Sequence, residues 1–204
     1  MLTGQPVPEV QAALASDAEL IASSLRQPDC FAAIFDRHGD AILRFACARL
    51  GPDIGEEVTA ETFLAAFGRR GAYDRSYADA RPWLYGIAVR QIGKHRRAEA
   101  RQRQLLASMP AELVAEDLGD RIADQVTAQQ LRPRLVECLS GLPRRDRELL
   151  LLVAWAELSY ADAATALGIS VSAVRSRLNR IRVRVRKELG GRNPADVDEE
   201  ISHG

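Results

Sequence analysis

Five side chains between positions 172 and 180 are of the types that read DNA: Ser172, Arg175, Ser176, Asn179 and Arg180. An Arg fork pairs with two acceptors on a guanine edge, an Asn amide pairs with adenine, and hydroxyls bond bases or phosphates. A second group comprises Tyr73, Trp83, Arg90, Lys94 and Arg97. Aromatic rings beside a ladder of cations suit single-stranded nucleic acid, whose bases stack and whose phosphates pair with Arg or Lys. Neither group suits covalent chemistry, and no nucleophile–base pair or phosphate-binding glycine loop accompanies them. Cys30, Cys47 and Cys138, with His38, His95 and His203, lack metal-ligand spacing. The chain therefore reads as a binding protein that is not an enzyme and needs no metal or cofactor.

The first group needs a helix to present it. Val171, Val174, Leu178, Ile181, Val185 and Leu189 recur at helical spacing and form one apolar stripe. At about 100° per residue the five polar residues project away from that stripe. Just before it, Ser159 stands three residues ahead of Asp162, a helix-start signature. A short Ala-rich helix runs to Leu167, Gly168 suits a turn that needs positive φ, and Ser170 can cap the next helix. Short helix, glycine turn and long basic helix make a helix-turn-helix. The plainer alternative is a basic amphipathic helix that is only solvated, or that lies on a membrane.

The second group needs a longer helix. Pro82 suits a first helical turn, and the periodic run continues towards Leu106. Leu84, Ile87, Ala88 and Ile92 cover one side of it, while Trp83, Arg90, Lys94, Arg97 and Arg101 share another. Tyr73 and Tyr77 come from the preceding turn-rich loop, 71–80. The competing reading puts Trp83 and Tyr85 in a core and leaves the cations merely solvated.

Around these lie further helices. Asp17 to Arg26 suits a short one, ended before Pro28. Asp29 to Leu50 carries Phe31, Ile34, Phe35, Ile42, Phe45 and Leu50 on one apolar face, stopped by Gly51-Pro52. His38 falls on that face and suits packing better than catalysis. Asp53 to about Gly68 is a further helix, with Asp53 as its cap and Glu56 and Glu57 in its first turn, where negative charge suits the dipole. Its acidic flank is either a solvated face or a docking face for a basic partner helix, and periodicity does not choose between them. Ala128 to Ser140 and Arg144 to Ala156 are helical too, the latter dominated by L-L-L-L-V-A-W. No stretch suits a strand.

The fold class is thus all-α: two small helical domains joined by a flexible acidic linker, the second holding the helix-turn-helix. Residues 1–28 form a tail with a short helix, 29–106 the first domain, 107–127 the linker, 128–190 the second domain, and 191–204 a disordered tail. Formal net charge is +0, yet it is segregated. Arg81 to Arg103 has seven bases against Glu99 alone, and Pro110 to Asp124 has five acids against Arg121 alone. Two basic blocks in a neutral whole point to two polyanion-binding surfaces. With no basic-then-apolar leader and no apolar run near the ~18 residues a membrane span requires, the expected location is the cytoplasm, with the three thiols buried and free.

The order of these features resembles the sigma-70 family of bacterial RNA polymerase sigma factors, in its compact extracytoplasmic-function (ECF) form. F-A-A-I-F-D-R-H-G-D-A-I-L-R-F-A resembles region 2.1, E-E-V-T-A-E-T-F-L-A-A-F region 2.2, and R-P-W-L-Y-G-I-A-V-R-Q-I-G-K-H-R-R regions 2.3 and 2.4. L-P-R-R-D-R-E-L-L-L-L-V with L-S-Y-A-D-A-A-T-A-L-G-I-S-V-S-A-V-R-S-R-L-N-R resembles region 4.

The resemblance implies partners: core RNA polymerase (the β′ clamp and β), promoter DNA, and an anti-sigma factor, with no membrane. It implies that Glu57, Glu61, Phe63 and Phe67 dock on the β′ clamp. It implies that Tyr73, Trp83, Arg90, Lys94 and Arg97 open the promoter −10 element and hold its non-template strand. The helix bearing Ser172, Arg175, Ser176, Asn179 and Arg180 would read the −35 element. The chain departs from the family at Arg90, where Asn is common, and at Ala60, where Gln is frequent. An Arg at position 90 favours a phosphate or a different base edge. The alternative class is a free-standing helix-turn-helix regulator, which would need a dimer or a sensory pocket.

Overall fold

In the computed structural model, residues 15–107 and 138–188 are described, and every regular element among them is helical. The chain divides into two compact units. The first contains α1 (Asp17–Ser24), α2 (Ala32–Leu50), α3 (Pro52–Arg69) and α4 (Arg81–Ala107). The second contains α5 (Arg144–Ala154), α6 (Tyr160–Leu167) as far as Ala164, and α7 (Val171–Glu188). Short 3-10 turns, Pro28–Phe31 and Arg70–Ala72, precede α2 and follow α3. The expected linker and final tail lie outside the described residues. So does most of the helix expected over Ala128 to Ser140, of which residues 138–140 are helical.

In the first unit, α1 starts with a reciprocal cap. The Glu19 N–H donates to Ser16 Oγ at 3.3 Å, and the Ser16 N–H donates to Glu19 Oε2 at 2.7 Å. Pro28 at the head of the first 3-10 turn shortens the helix expected from Asp29, so α2 proper begins at Ala32. Ile34, Ile42, Phe45 and Ala46 of α2 are buried with Val58 and Ala66 of α3 and Leu84, Ile87, Ala88 and Ile92 of α4. The Phe45 and Tyr85 rings meet edge to face at 5.1 Å.

The join between α2 and α3 differs from expectation. Gly51, at φ 83°, is the residue that both ends α2 and begins α3, with Pro52 at the first helical position. Its N–H closes α2 on Cys47 O at 2.9 Å. Asp53 lies in the first turn and makes no capping bond, which moves Glu56 and Glu57 beyond that turn. The Gly-Pro pair sets the turn because proline has no N–H to satisfy and its φ is already helical. Gly55 follows one turn later, where an added Cβ would meet Cys47 Sγ at 2.5 Å and Cys47 backbone at 2.7 Å. Only a glycine lets α3 start so close to α2.

The second unit is smaller. Leu149 and Leu152 of α5, Ala163 of α6, and Val174, Leu178 and Ile181 of α7 are buried together with Leu142 and Leu158. Arg182 of α7 donates to the Tyr160 hydroxyl at the head of α6 at 2.8 Å. No helix among the described residues is long and apolar enough to cross a membrane. Each cysteine is free; Cys138 is buried, whereas Cys30 and Cys47 are half-buried rather than interior. Burial first, then its bond with Glu188, pushes the Cys138 thiol up to about 11, far from reactive thiolate.

Candidate nucleic-acid interface

The helix-turn-helix is built by two serine caps and one glycine. Ser159 Oγ accepts the Asp162 N–H at 3.1 Å and donates to the Asp162 carboxylate at 2.6 Å, starting α6. Gly168 takes φ 64°, letting its own N–H bond Thr165 O at 3.3 Å and the Ile169 N–H bond Ala164 O at 3.0 Å. Ser170 Oγ then accepts the Ala173 N–H at 3.2 Å and shares a 2.9 Å bond with Ser172 Oγ, starting α7. With Val174, Leu178 and Ile181 turned inwards, Ser172, Arg175, Ser176, Asn179 and Arg180 are all exposed. Among the described residues, neither Arg175 nor Arg180 has an ion-pair partner, so both forks stand open to an anion. Further along α7, Arg184 is occupied by Glu188 at 3.0 Å.

On α4, Arg90, Lys94 and Arg97 are exposed along one face, with Arg101 beyond them. The cations crowd one another: partial burial first, and then the charge of Arg69, lower the Arg90 guanidinium below its usual value. Trp83 is half-buried, and its ring tilts against Tyr73 at 5.0 Å. Tyr73 is not a free stacking platform. It is 7 % exposed, and its hydroxyl donates to Tyr77 O at 2.6 Å and Asp79 O at 3.2 Å. Burial, reinforced by nearby Asp17, Asp79 and Asp74, pushes the phenol up to about 12, so it stays a donor. The exposed tyrosine of this loop is Tyr77, at 43 %. Both readings of the aromatics thus apply in part: Tyr73 and Tyr85 are core, while Trp83 sits at the margin.

The acidic face of α3 has a similar division. Glu57 is exposed, Glu61 and Phe67 are half-buried, and Phe63 is 7 % exposed. Phe63 packs edge-on against Phe35 at 4.9 Å, and Phe67 against Phe31 at 5.4 Å with the Arg70 guanidinium 3.7 Å over its ring. Phe35 and Leu64, at 51 % and 71 % exposed, are the open apolar groups near them, and sequence periodicity did not single them out for docking. Glu61 is not idle either: Lys94 Nζ lies 3.5 Å from one oxygen and His95 Nε2 3.3 Å from the other. A cation assigned to nucleic acid and an acid assigned to protein docking are therefore partners across α3 and α4.

One hub escaped sequence reasoning. Asp17, 5 % exposed, receives Arg37 at 2.8 Å on Oδ1, and His38 Nε2 at 2.7 Å and the Ala80 N–H at 2.8 Å on Oδ2. Burial alone would raise its pKa; the bonds from His38, Ala80 and Arg37 outweigh that and hold the carboxyl at about 2. His38, expected to be packed, is the partner on α2. The only hint in the sequence was the Ser16–Glu19 cap, which fixes where Asp17 falls.

Among the described residues, two groups bring three ligand atoms within 4.8 Å of one another, Asp17 with His38 and Asp79, and Glu57 with Glu61 and His95. Ligand spacing along the chain missed both because their members come from separate elements. In the first, Asp17 is already saturated by Arg37, His38 and Ala80; in the second, Glu61 is shared with Lys94 and His95. Neither shows a donor set left waiting for an ion.

Comparison with known proteins covers both units. The family model "Sigma-70 region 2" matches residues 34–102, and "Sigma-70, region 4" matches residues 132–185. The ECF RNA polymerase sigma factor SigK of Mycolicibacterium vanbaalenii is 30% identical over 180 residues, 85% of this chain and 89% of that one. The RNA polymerase sigma factor NccH of Alcaligenes xylosoxydans xylosoxydans is 28% identical over 173 residues, 82% of this chain and 91% of the other. Two solved structures share the fold. The sigma factor RpoE of Bartonella quintana, in complex with the anti-sigma factor NepR, matches at TM-score 0.60 and 22% identity, covering 81% of this chain and 99% of that one. CnrH, in complex with the cytosolic domain of CnrY, matches at TM-score 0.57 and 24% identity, covering 87% and 99%.

Proposed function

Because this chain belongs to the sigma-70 family, as an ECF RNA polymerase sigma factor, we propose that it works as a bipartite promoter reader on core polymerase. As a transcription initiation factor it is not an enzyme. In this reading α7 enters the major groove of the −35 element, α4 with the loop before it captures the −10 strand, and α3 docks on the polymerase. The observation that carries it is the capped, glycine-turned α7 with five exposed DNA-reading side chains above a buried apolar stripe.

Each step follows from a side-chain property. Arg175 and Arg180 supply exposed forks for a guanine edge or phosphates, and Asn179 an amide for adenine; one good bidentate pair is worth about 1–3 kcal/mol of discrimination. Arg90, Lys94 and Arg97 grip phosphates of the opened strand, and Trp83 and Tyr77 offer ring faces to unstacked bases. Opening is favoured by capture of extruded bases, without a chemical fuel. Two weak DNA contacts held by one polymerase combine through effective concentration, so each unit alone is a poor DNA binder. Glu57 and Glu61, with Phe67 and the apolar surface beside the buried Phe63, face the basic coiled coil of the β′ clamp, and the second unit approaches β. The Lys94–Glu61 pair is exposed enough to contribute little, on the order of 0–1 kcal/mol, so docking can separate it at small cost. An anti-sigma factor covering these faces would keep the chain off the polymerase.

A crossed set of variants tests this assignment. Arg175→Ala and Asn179→Ala should lower promoter-directed transcription and leave co-elution with core polymerase intact. Glu61→Arg should weaken co-elution instead. Should both kinds of variant impair the same step, the division of labour is wrong. The free-standing regulator considered above leaves the region 2 match over residues 34–102 without a role.

A further inference from the structure

The loop joining α3 to α4 is closed along its inner edge. The carbonyls of residues 77, 78 and 79 all point to internal donors: Tyr77 and Asp79 to the Tyr73 hydroxyl, and Ala78 to the Asp17 N–H at 3.1 Å. At the loop's end the Ala80 N–H returns to Asp17 Oδ2 at 2.8 Å. Ala80 O accepts the Leu84 N–H at 2.9 Å, so Ala80 is the residue on which α4 starts, three positions before Trp83. The outer residues Asp74, Arg75, Ser76 and Tyr77 are exposed, and the Ser76 N–H is turned onto Asp74 Oδ1 at 3.0 Å. Asp17 thus holds both the last stretch of this loop and the entry of the Trp83 helix, from outside the region 2 match. On its other side Arg37 and His38 brace it against α2. A carboxylate at the head of α4 also suits the positive end of that helix.

We propose that Asp17 is a positioning residue for strand capture: it never meets DNA, but fixes the 73–80 loop and the first turn of α4 in the shape that receives unstacked bases. The N-terminal helix α1 is thereby part of the melting machinery rather than an appended tail. This rests on the reading of α4 and its loop as the −10 element's receptor. Without the carboxylate the Ala80 N–H loses its acceptor and only the Asp17 N–H bond to Ala78 O still ties the loop to α1, so the receptive conformation becomes one among several. The observed dissociation constant then rises by the inverse of the fraction that stays receptive.

The test uses the full chain as holoenzyme with core polymerase. The probe is a fluorescein-labelled single-stranded DNA spanning the −10 region of a promoter located by run-off transcription, with a scrambled strand as control. Asp17→Asn should bind core as the wild type does, yet bind the −10 strand about tenfold more weakly, the value expected if about a tenth of loops stay receptive. The same variant should show faster amide exchange at residues 78–83. Asp17→Asn that keeps the full preference for the −10 strand overturns the positioning role alone. Parallel loss of core and strand affinity overturns it too, since that marks general damage. In the unaltered chain the Ala80 amide should be protected; exchange as fast as at Arg75 and Ser76 would contradict the strut without any variant. A wild-type holoenzyme that does not distinguish the two strands would overturn the −10 reading itself.

Discussion

Replacing Asp17 by Asn should remove an acid-sensitive part of the first unit's stability. The folded carboxyl titrates at about 2 and its ordinary value is 3.8, and each pKa unit is about 1.36 kcal/mol. The difference corresponds to about 2 kcal/mol, present whenever the group is ionised in both states. Because the folded pKa is depressed, this stability is complete above the unfolded value and disappears as pH falls from about 4 towards 2. The Asn variant has no proton to take up there. The gap in urea stability between wild type and Asp17→Asn should therefore be widest near pH 6–7 and close on the acid side. The chain has two tryptophans, Trp83 in the first unit and Trp155 in the second. A Trp155→Phe background leaves Trp83 fluorescence to report the first unit by itself. A gap that stays constant between pH 6 and pH 3 would refute the claim that the carboxylate's bonds outweigh its burial.

Three further outcomes follow from the packing and the charges. Gly55→Ala drives a Cβ into Cys47 backbone and sulfur, and should cost on the order of 1–3 kcal/mol in thermal or urea melts of the first unit. Ser170→Ala removes the cap of α7; circular dichroism melts should show about 1 kcal/mol lost from the second unit. If Arg180 meets a phosphate, Arg180→Ala should reduce the log–log salt slope of promoter binding by about 0.9, read by fluorescence anisotropy across a salt series.

How much of this was legible beforehand depended on how local each determinant is. The caps at Ser159 and Ser170 and the turn at Gly168 act over three or four residues, so the helix-turn-helix and its exposed face could be read directly. The α4 cation face followed from periodicity for the same reason. Tyr73 could not be placed, because a tyrosine in a turn-rich loop looks the same whether its ring packs on Trp83 or faces water. Asp17 and the Glu61–Lys94–His95 cluster join elements that lie far apart in sequence, and no spacing rule encodes such contacts. At Gly51-Pro52 two local rules competed: Asp53 has the side chain of a cap, but the proline and the positive φ of Gly51 put the cap of α3 two residues earlier. Phe63 shows the limit of a helical stripe, since one face of α3 must serve both the core beside Phe35 and any partner outside.

The central claim is tested most directly by run-off transcription with purified core polymerase, on a library of promoter-bearing fragments, with and without this chain. The account predicts discrete transcripts that require the chain and that weaken when Arg175 or Asn179 is replaced by Ala. Transcription indifferent to the chain, together with tight binding to a palindrome in the absence of polymerase, would contradict it.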